Sequence, residues 1–180
     1  MGFAKSITKF IAFGLLLMTC ISIDFKKFFY QSQPTMTAVD VATQFTMSFS
    51  TGELSRAFYF YSKNEAFDTN ELRKKEKDAF TQIFNQLNSE MVDNRKFVKS
   101  ITKLSENSQL IGKKVDLNLK INYKDDTFAE VHYVLKLGEF SEWKVACASV
   151  YDECTKGNLN ILENENLFSF FSTQYIKKEK

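Results

Sequence analysis

From Lys114 to Tyr123, apolar and polar side chains alternate without a break. Val115, Leu117, Leu119, Ile121 and Tyr123 fall on one side, and Lys114, Asp116, Asn118, Lys120 and Asn122 on the other. Only an extended chain, with its two-residue repeat, buries the first set against a core while leaving the second in water. The pattern returns in Val131, Tyr133, Leu135 and Leu137 after the turn Lys124-Asp125-Asp126-Thr127, and again in Trp143, Val145 and Cys147. A weaker alternation runs from Phe97 to Ser105. Connections this short between neighbouring strands require antiparallel pairing.

Upstream of Asn94 the period is helical. Ala38, Val41, Ala42, Phe45 and Phe49 share one helix face, which stops at Ser50-Thr51-Gly52. Leu54, Ala57, Phe58 and Tyr61 predict a second, short helix. A third begins near Asp68-Thr69 and buries Ala79, Phe80, Ile83, Phe84 and Leu87; its charged first half, Glu71 and Arg73 to Lys77, reads as a solvated face. The class is therefore α+β, with three helices packed on one face of a curved antiparallel sheet of about four strands. Near the C-terminus Leu167, Phe170, Phe171 and Tyr175 predict an amphipathic helix ahead of Lys177-Lys178-Glu179-Lys180. That helix either packs back on the domain or offers Leu167, Phe168, Phe170 and Phe171 to a partner or membrane surface.

The N-terminus carries an address. Lys5 and Lys9 precede an uncharged run, Phe10 to Ile23, that ends at Asp24. Its length suits a secretory signal and falls short of the ~20 apolar residues that span a bilayer comfortably. Three fates fit: cleavage after Ser22, with Cys20 and Ser22 as the small residues peptidase requires; retention as an anchor held by Lys5 and Lys9; or lipidation at Cys20, since Leu17-Met18-Thr19-Cys20 loosely resembles a bacterial lipobox. The chain thus divides into a signal peptide or membrane anchor (1–23), a connector bearing Pro34 (24–36), a domain (37–151) and an extension (152–180).

Composition narrows the function. Two of the 24 Lys+Arg residues lie in the export segment, leaving a body balanced against 22 Asp+Glu, so there is no electrostatic footprint for nucleic acid. With Phe at 19 and Pro at 1, the body is aromatic-rich and loop-poor. Cys147 and Cys154 are disulfide candidates in an oxidising compartment; otherwise Cys147, which alternation places on the apolar side of its strand, is a buried free thiol. Their spacing, without nearby histidines, is not a zinc signature, and no cofactor motif is present. Asp125-Asp126 reads as Asx-type turn bonding in preference to a cation site.

A helix, then Thr51-Gly52-Glu53-Leu54-Ser55-Arg56-Ala57-Phe58, then a third helix and amphipathic strands ending in Trp143-Lys144-Val145 after the charged hairpin Gly138 to Glu142, resembles the NTF2-like or cystatin-like superfamily. The likeness spans Thr37 to Val150 and is strongest to its small exported bacterial members of unknown function. It implies a cone-shaped cavity between sheet and helices, in a fold that hosts enzymes, carriers and scaffolds alike. Enzymes of that superfamily place an Asp, a His or both inside the cone. Here the face carrying Leu117, Leu119, Ile121, Val131, Tyr133, Leu135, Trp143 and Val145 offers no acid or imidazole, so the chain is not expected to be an enzyme. His132 falls on the wetter face beside Glu130 and Lys136, where a solvated pair is expected over a general-base dyad. Tyr123, Tyr133 and Trp143 on the sheet, with Phe45, Phe58 and Phe84 on the helices, either line a pocket for a small apolar ligand or fill the core.

These readings converge on an exported, non-catalytic NTF2-like binding or assembly module of a bacterial envelope, with a protein partner or small apolar ligand. It would be periplasmic or otherwise extracytoplasmic, soluble after cleavage or anchored to the inner membrane. The alternative is a membrane-tethered scaffold subunit of a secretion machine, resembling inner-membrane components of type IV systems. A third reading, an isomerase or dehydratase, is disfavoured by the apolar interior.

Overall fold

The computed structural model describes residues 36–63, 69–93, 97–109, 113–138, 141–150, 152–170 and 177–178. The export segment and nearly all of the connector, with Phe171 and Tyr175, lie outside these residues. Helix α1 (Ala38–Thr51) starts at a reciprocal cap: the Asp40 N–H donates to Thr37 Oγ1 at 3.2 Å and the Thr37 N–H to Asp40 Oδ2 at 3.1 Å. It ends where Gly52 turns left-handed at φ 73°, a conformation that a Cβ would strain. The Glu53 N–H then donates to Ser48 O at 2.8 Å. Helix α2 (Leu54–Phe60) buries Ala57 and Phe60 and releases Tyr61 in extended conformation. Helix α3 (Asn70–Asp93) lays Phe80, Phe84, Leu87 and Met91 into the core. Asn88 of α3 donates to Phe49 O at 2.8 Å, satisfying a terminal carbonyl of α1 and fixing one helix to the other.

Strands β1 (Val98–Gln109), β2 (Lys114–Tyr123), β3 (Thr127–Leu137) and β4 (Trp143–Ser149) form an antiparallel sheet in that order. Val115, Leu117, Leu119, Ile121 and Tyr123 are buried, as their alternation requires. The exit of α2 joins this sheet: the Ser62 N–H donates to Val145 O at 2.9 Å. Among the described residues no helix is long and apolar enough to cross a membrane.

Three expectations are corrected. Among the described residues no amphipathic C-terminal helix is seen; those there make a short 3-10 turn, Glu165–Phe168, and a two-residue strand β5 (Lys177–Lys178) that pairs with Thr127 and Phe128 of β3, giving a five-stranded sheet. Just upstream, Asn158, Asn160 and Asn164 each accept the N–H two residues ahead, at 3.1 Å, which holds that segment in local turns. Second, β1 extends to Gln109, beyond the weak alternation at Phe97 to Ser105, because pairing with β2 continues after the periodicity fades. Third, Cys147 does not share the face of Val145. Leu135 lies opposite Val145 but Val134 lies opposite Cys147, so Ala146 is an extra residue that turns Cys147 to the outer side.

Candidate functional site

The cone interior is the first place where chemistry would be sought, and aromatic rings occupy it. Phe168 and Phe170, carried by the chain beyond β4, are fully buried. Phe168 meets Phe45 at 5.5 Å and Phe80 at 5.8 Å between centroids; Phe170 meets Phe49 at 5.1 Å, Phe45 at 6.0 Å and Tyr133 at 6.3 Å. These are tilted and edge-on geometries that aromatic pairs favour. The extension therefore closes the space between helices and sheet with its own side chains. Leu167, Phe168 and Phe170 are core residues in this arrangement and offer no exposed surface to a partner, while Phe171 lies outside the described residues.

Of the six pocket candidates, four lie in the core and two, Phe58 and Trp143, pack against it partly buried. Phe45, Phe84, Tyr123 and Tyr133 are buried. Phe84 packs on Phe49 at 4.7 Å, and the Tyr133 hydroxyl shares a 2.5 Å hydrogen bond with Thr46, whose own hydroxyl lies 2.8 Å from Ala42 O. Burial pushes the Tyr133 phenol upward, and that of Tyr123 likewise, reinforced by Tyr133 and Asp125. Phe58 is partly exposed, with Lys63 Nζ 5.1 Å above its ring, and Trp143 stands opposite Leu137 at the far end of β4.

A groove of about 780 Å³ opens instead between α3 and the asparagine-rich turn, and none of the six lines it. Gln82, Gln86 and Glu90 form one wall, Glu163, Asn164 and Asn166 the other. Glu163 is held, accepting from Asn158 at 3.1 Å and from Asn160 at 2.8 Å.

One buried carboxylate lay hidden in the charge run of α3. Glu76 is 2% exposed and accepts from the Tyr61 hydroxyl at 2.8 Å, correcting the reading of that run as solvated throughout. Its signal was phase: Glu76 precedes Phe80 by four residues and shares the stripe continued by Phe84 and Leu87. Burial, and then the charge and hydrogen bond of Glu76, drive the Tyr61 phenol far above its ordinary range.

On the outer face His132 stands 3.3 Å from Asp116 Oδ1, which Lys114 also approaches at 3.3 Å. The partner is thus on the neighbouring strand, in place of Glu130. Asp125 Oδ1 accepts from the Thr127 N–H at 3.2 Å and from the Thr127 hydroxyl at 2.5 Å, while Asp126 pairs with Lys99 at 3.0 Å. Cys147 and Cys154 are bonded, with Cα atoms 5.6 Å apart, and fasten the first 3-10 turn, Asp152–Thr155, over the outer side of Val134. Among the described residues no group of three or more His, Cys, Asp or Glu could hold a metal ion.

No protein-family model and no curated protein sequence matches the chain. Among solved structures, the chain is similar to an NTF2-like protein of Campylobacter jejuni, provisionally named a transpeptidase. The match has a TM-score of 0.52 and 15% identity, and covers 61% of this chain and 97% of that one. At this identity the likeness is one of architecture, and with the helices and antiparallel sheet described above it shows that the chain has an NTF2-like fold.

Proposed function

We propose that the chain is an exported, non-catalytic binding or assembly module of a bacterial envelope. The observation that carries this reading is the filling of the cone by Phe168 and Phe170. A superfamily enzyme needs a solvent-reachable interior with a tuned acid or base; here the extension takes up that space, and the surfaces left for recognition are external. The Cys147–Cys154 bond is in keeping with an oxidising compartment. The apolar run Phe10 to Ile23 supplies the route there.

Fractionation of bacteria expressing the chain, combined with the intact mass of the product, tests the reading. Protein recovered outside the cytoplasm, with Cys147 and Cys154 protected from alkylation, is the expected outcome. Full-length protein in the cytosol overturns it. A retained N-terminus in the membrane fraction, together with the uncleaved Lys5 to Asp24 segment, transfers support to the tethered scaffold of a secretion machine.

A further inference from the structure

Among the described residues β1 pairs with β2 alone, which leaves its other edge facing outward. Its start is tied to α1, where the Val98 N–H donates to Ser50 Oγ at 3.2 Å. From Lys99 to Asn107 every residue except Ile101 is exposed, and Leu104 keeps 50% of its surface in water. An edge of this length presents main-chain donors and acceptors to any strand that fits it.

The register with β2 restricts what fits. A shift between Lys103 and Ser105 sets Leu104 outside the ladder. As a result Ile101, Lys103, Glu106 and Ser108 lie opposite inner-face residues of β2, while Ser100, Thr102, Asn107 and Gln109 lie opposite outer-face ones. The order of faces reads the same from either end about the midpoint between Leu104 and Ser105. A regular strand cannot have this property, because residues mirrored about a point between two neighbours lie on opposite faces. A flat foreign strand would fall out of step at Leu104. A second copy carries the same irregularity in the same place.

We propose that β1 pairs antiparallel with β1 of a second copy, about a two-fold axis between Leu104 and Ser105, so that two sheets continue as one. In this register Ile101 faces Ser108, Thr102 faces Asn107, and Lys103 faces Glu106 of the other copy. The charges are complementary at both symmetric contacts. Within one chain Lys103 Nζ and Glu106 Oε2 already lie 3.0 Å apart, so pairing exchanges one internal ion pair for a reciprocal pair between chains. The inference goes beyond the proposed role, since it holds wherever the protein resides.

Sedimentation velocity of the full chain in detergent micelles, with circular dichroism as the check of fold, provides the test. The unaltered chain is expected to be a dimer at micromolar concentration. Lys103→Glu sets two carboxylates against each other across the axis, and Glu106→Lys sets two amines, so each variant alone should self-associate about tenfold more weakly. Mixed one to one, the variants should recover the dimer, because opposite charges face again at both contacts. Loss of the internal ion pair is common to both variants and cannot be rescued by mixing. A monomeric unaltered chain overturns the proposal, as does undiminished association of either folded variant or a mixture no tighter than its parts. Leu104→Cys keeps both charges and serves if a variant fails to fold. It should cross-link to itself on mild oxidation above the level of the unaltered chain, and failure to do so also overturns the proposal.

Discussion

The Tyr61 hydroxyl donates to Glu76 Oε1 at 2.8 Å, joining the exit of α2 to the first half of α3 beneath the stacked ring of Phe80. Tyr61 is 3% exposed and Glu76 2% exposed, so water cannot replace either partner. Taking the donor away leaves a buried carboxylate short of a hydrogen bond. Tyr61→Phe should therefore destabilise the fold by about 1.5 to 3 kcal/mol, the range for bonds to charged groups. Urea denaturation measures it, and a midpoint unchanged from that of the unaltered protein would contradict the assignment.

The buried phenols predict an alkaline limit. Tyr61, Tyr123 and Tyr133 all have folded-state values raised from 10.0, chiefly by burial. In the unfolded chain they ionise near that value while the folded chain holds them neutral, so the unfolded state sheds protons first. Their contribution is fully present below pH 10 and falls as pH rises above it, by about 4 kcal/mol per pH unit when all three differ. Measured from pH 8 to 11, the unfolding free energy should be flat with respect to these groups up to about pH 10 and drop above it. A transition that shows no tyrosinate absorbance on alkaline unfolding would count against it.

Removing the Cys147–Cys154 bond releases the first 3-10 turn from the outer face of the sheet. Loop closure over a separation of seven residues contributes about 2 to 3 kcal/mol in the chain-entropy model. Cys147→Ala with Cys154→Ala should lower the thermal midpoint accordingly, and the same shift should follow reductant. If reductant leaves the midpoint of the unaltered protein where it was, the bond does not stabilise the fold.

Phe170→Ala tests whether the extension is part of the core. The ring contacts Phe45, Phe49 and Tyr133, so its loss should cost about 3 to 5 kcal/mol and open a cavity. Phe168→Ala should behave alike. Small effects from both, under about 1 kcal/mol each, would show that the domain folds without its extension.

His132→Ala removes one partner of the partly exposed contact with Asp116 and should change stability by no more than about 1 kcal/mol. Chemical denaturation of the variant settles the point.

Local pattern was enough for most of the frame. Alternation at Val115 to Tyr123 and the helical spacing of Val41, Phe45 and Phe49 place those residues in the core because a side chain's face follows from backbone period alone. The same logic held for His132, which lies on the outer face. It failed at Cys147, where one extra residue, Ala146, inverts the facing of everything after it; a bulge leaves no mark in composition and is fixed by the partner strand. It failed again at Leu167 and Phe170, whose spacing suits a helix but whose described chain makes a 3-10 turn at Glu165–Phe168 and buries Phe168 and Phe170 in the cone. Glu76 was legible by phase but overruled by its charge, since the hydrogen bond from Tyr61 that helps make burial of a carboxylate tolerable comes from another element. The periods, the class of fold and the residues available to the core are therefore written in the order of side chains alone. Which of them meet is set by the folded chain, because contacts between distant segments depend on register, bulges and hydrogen-bond partners that no local window contains.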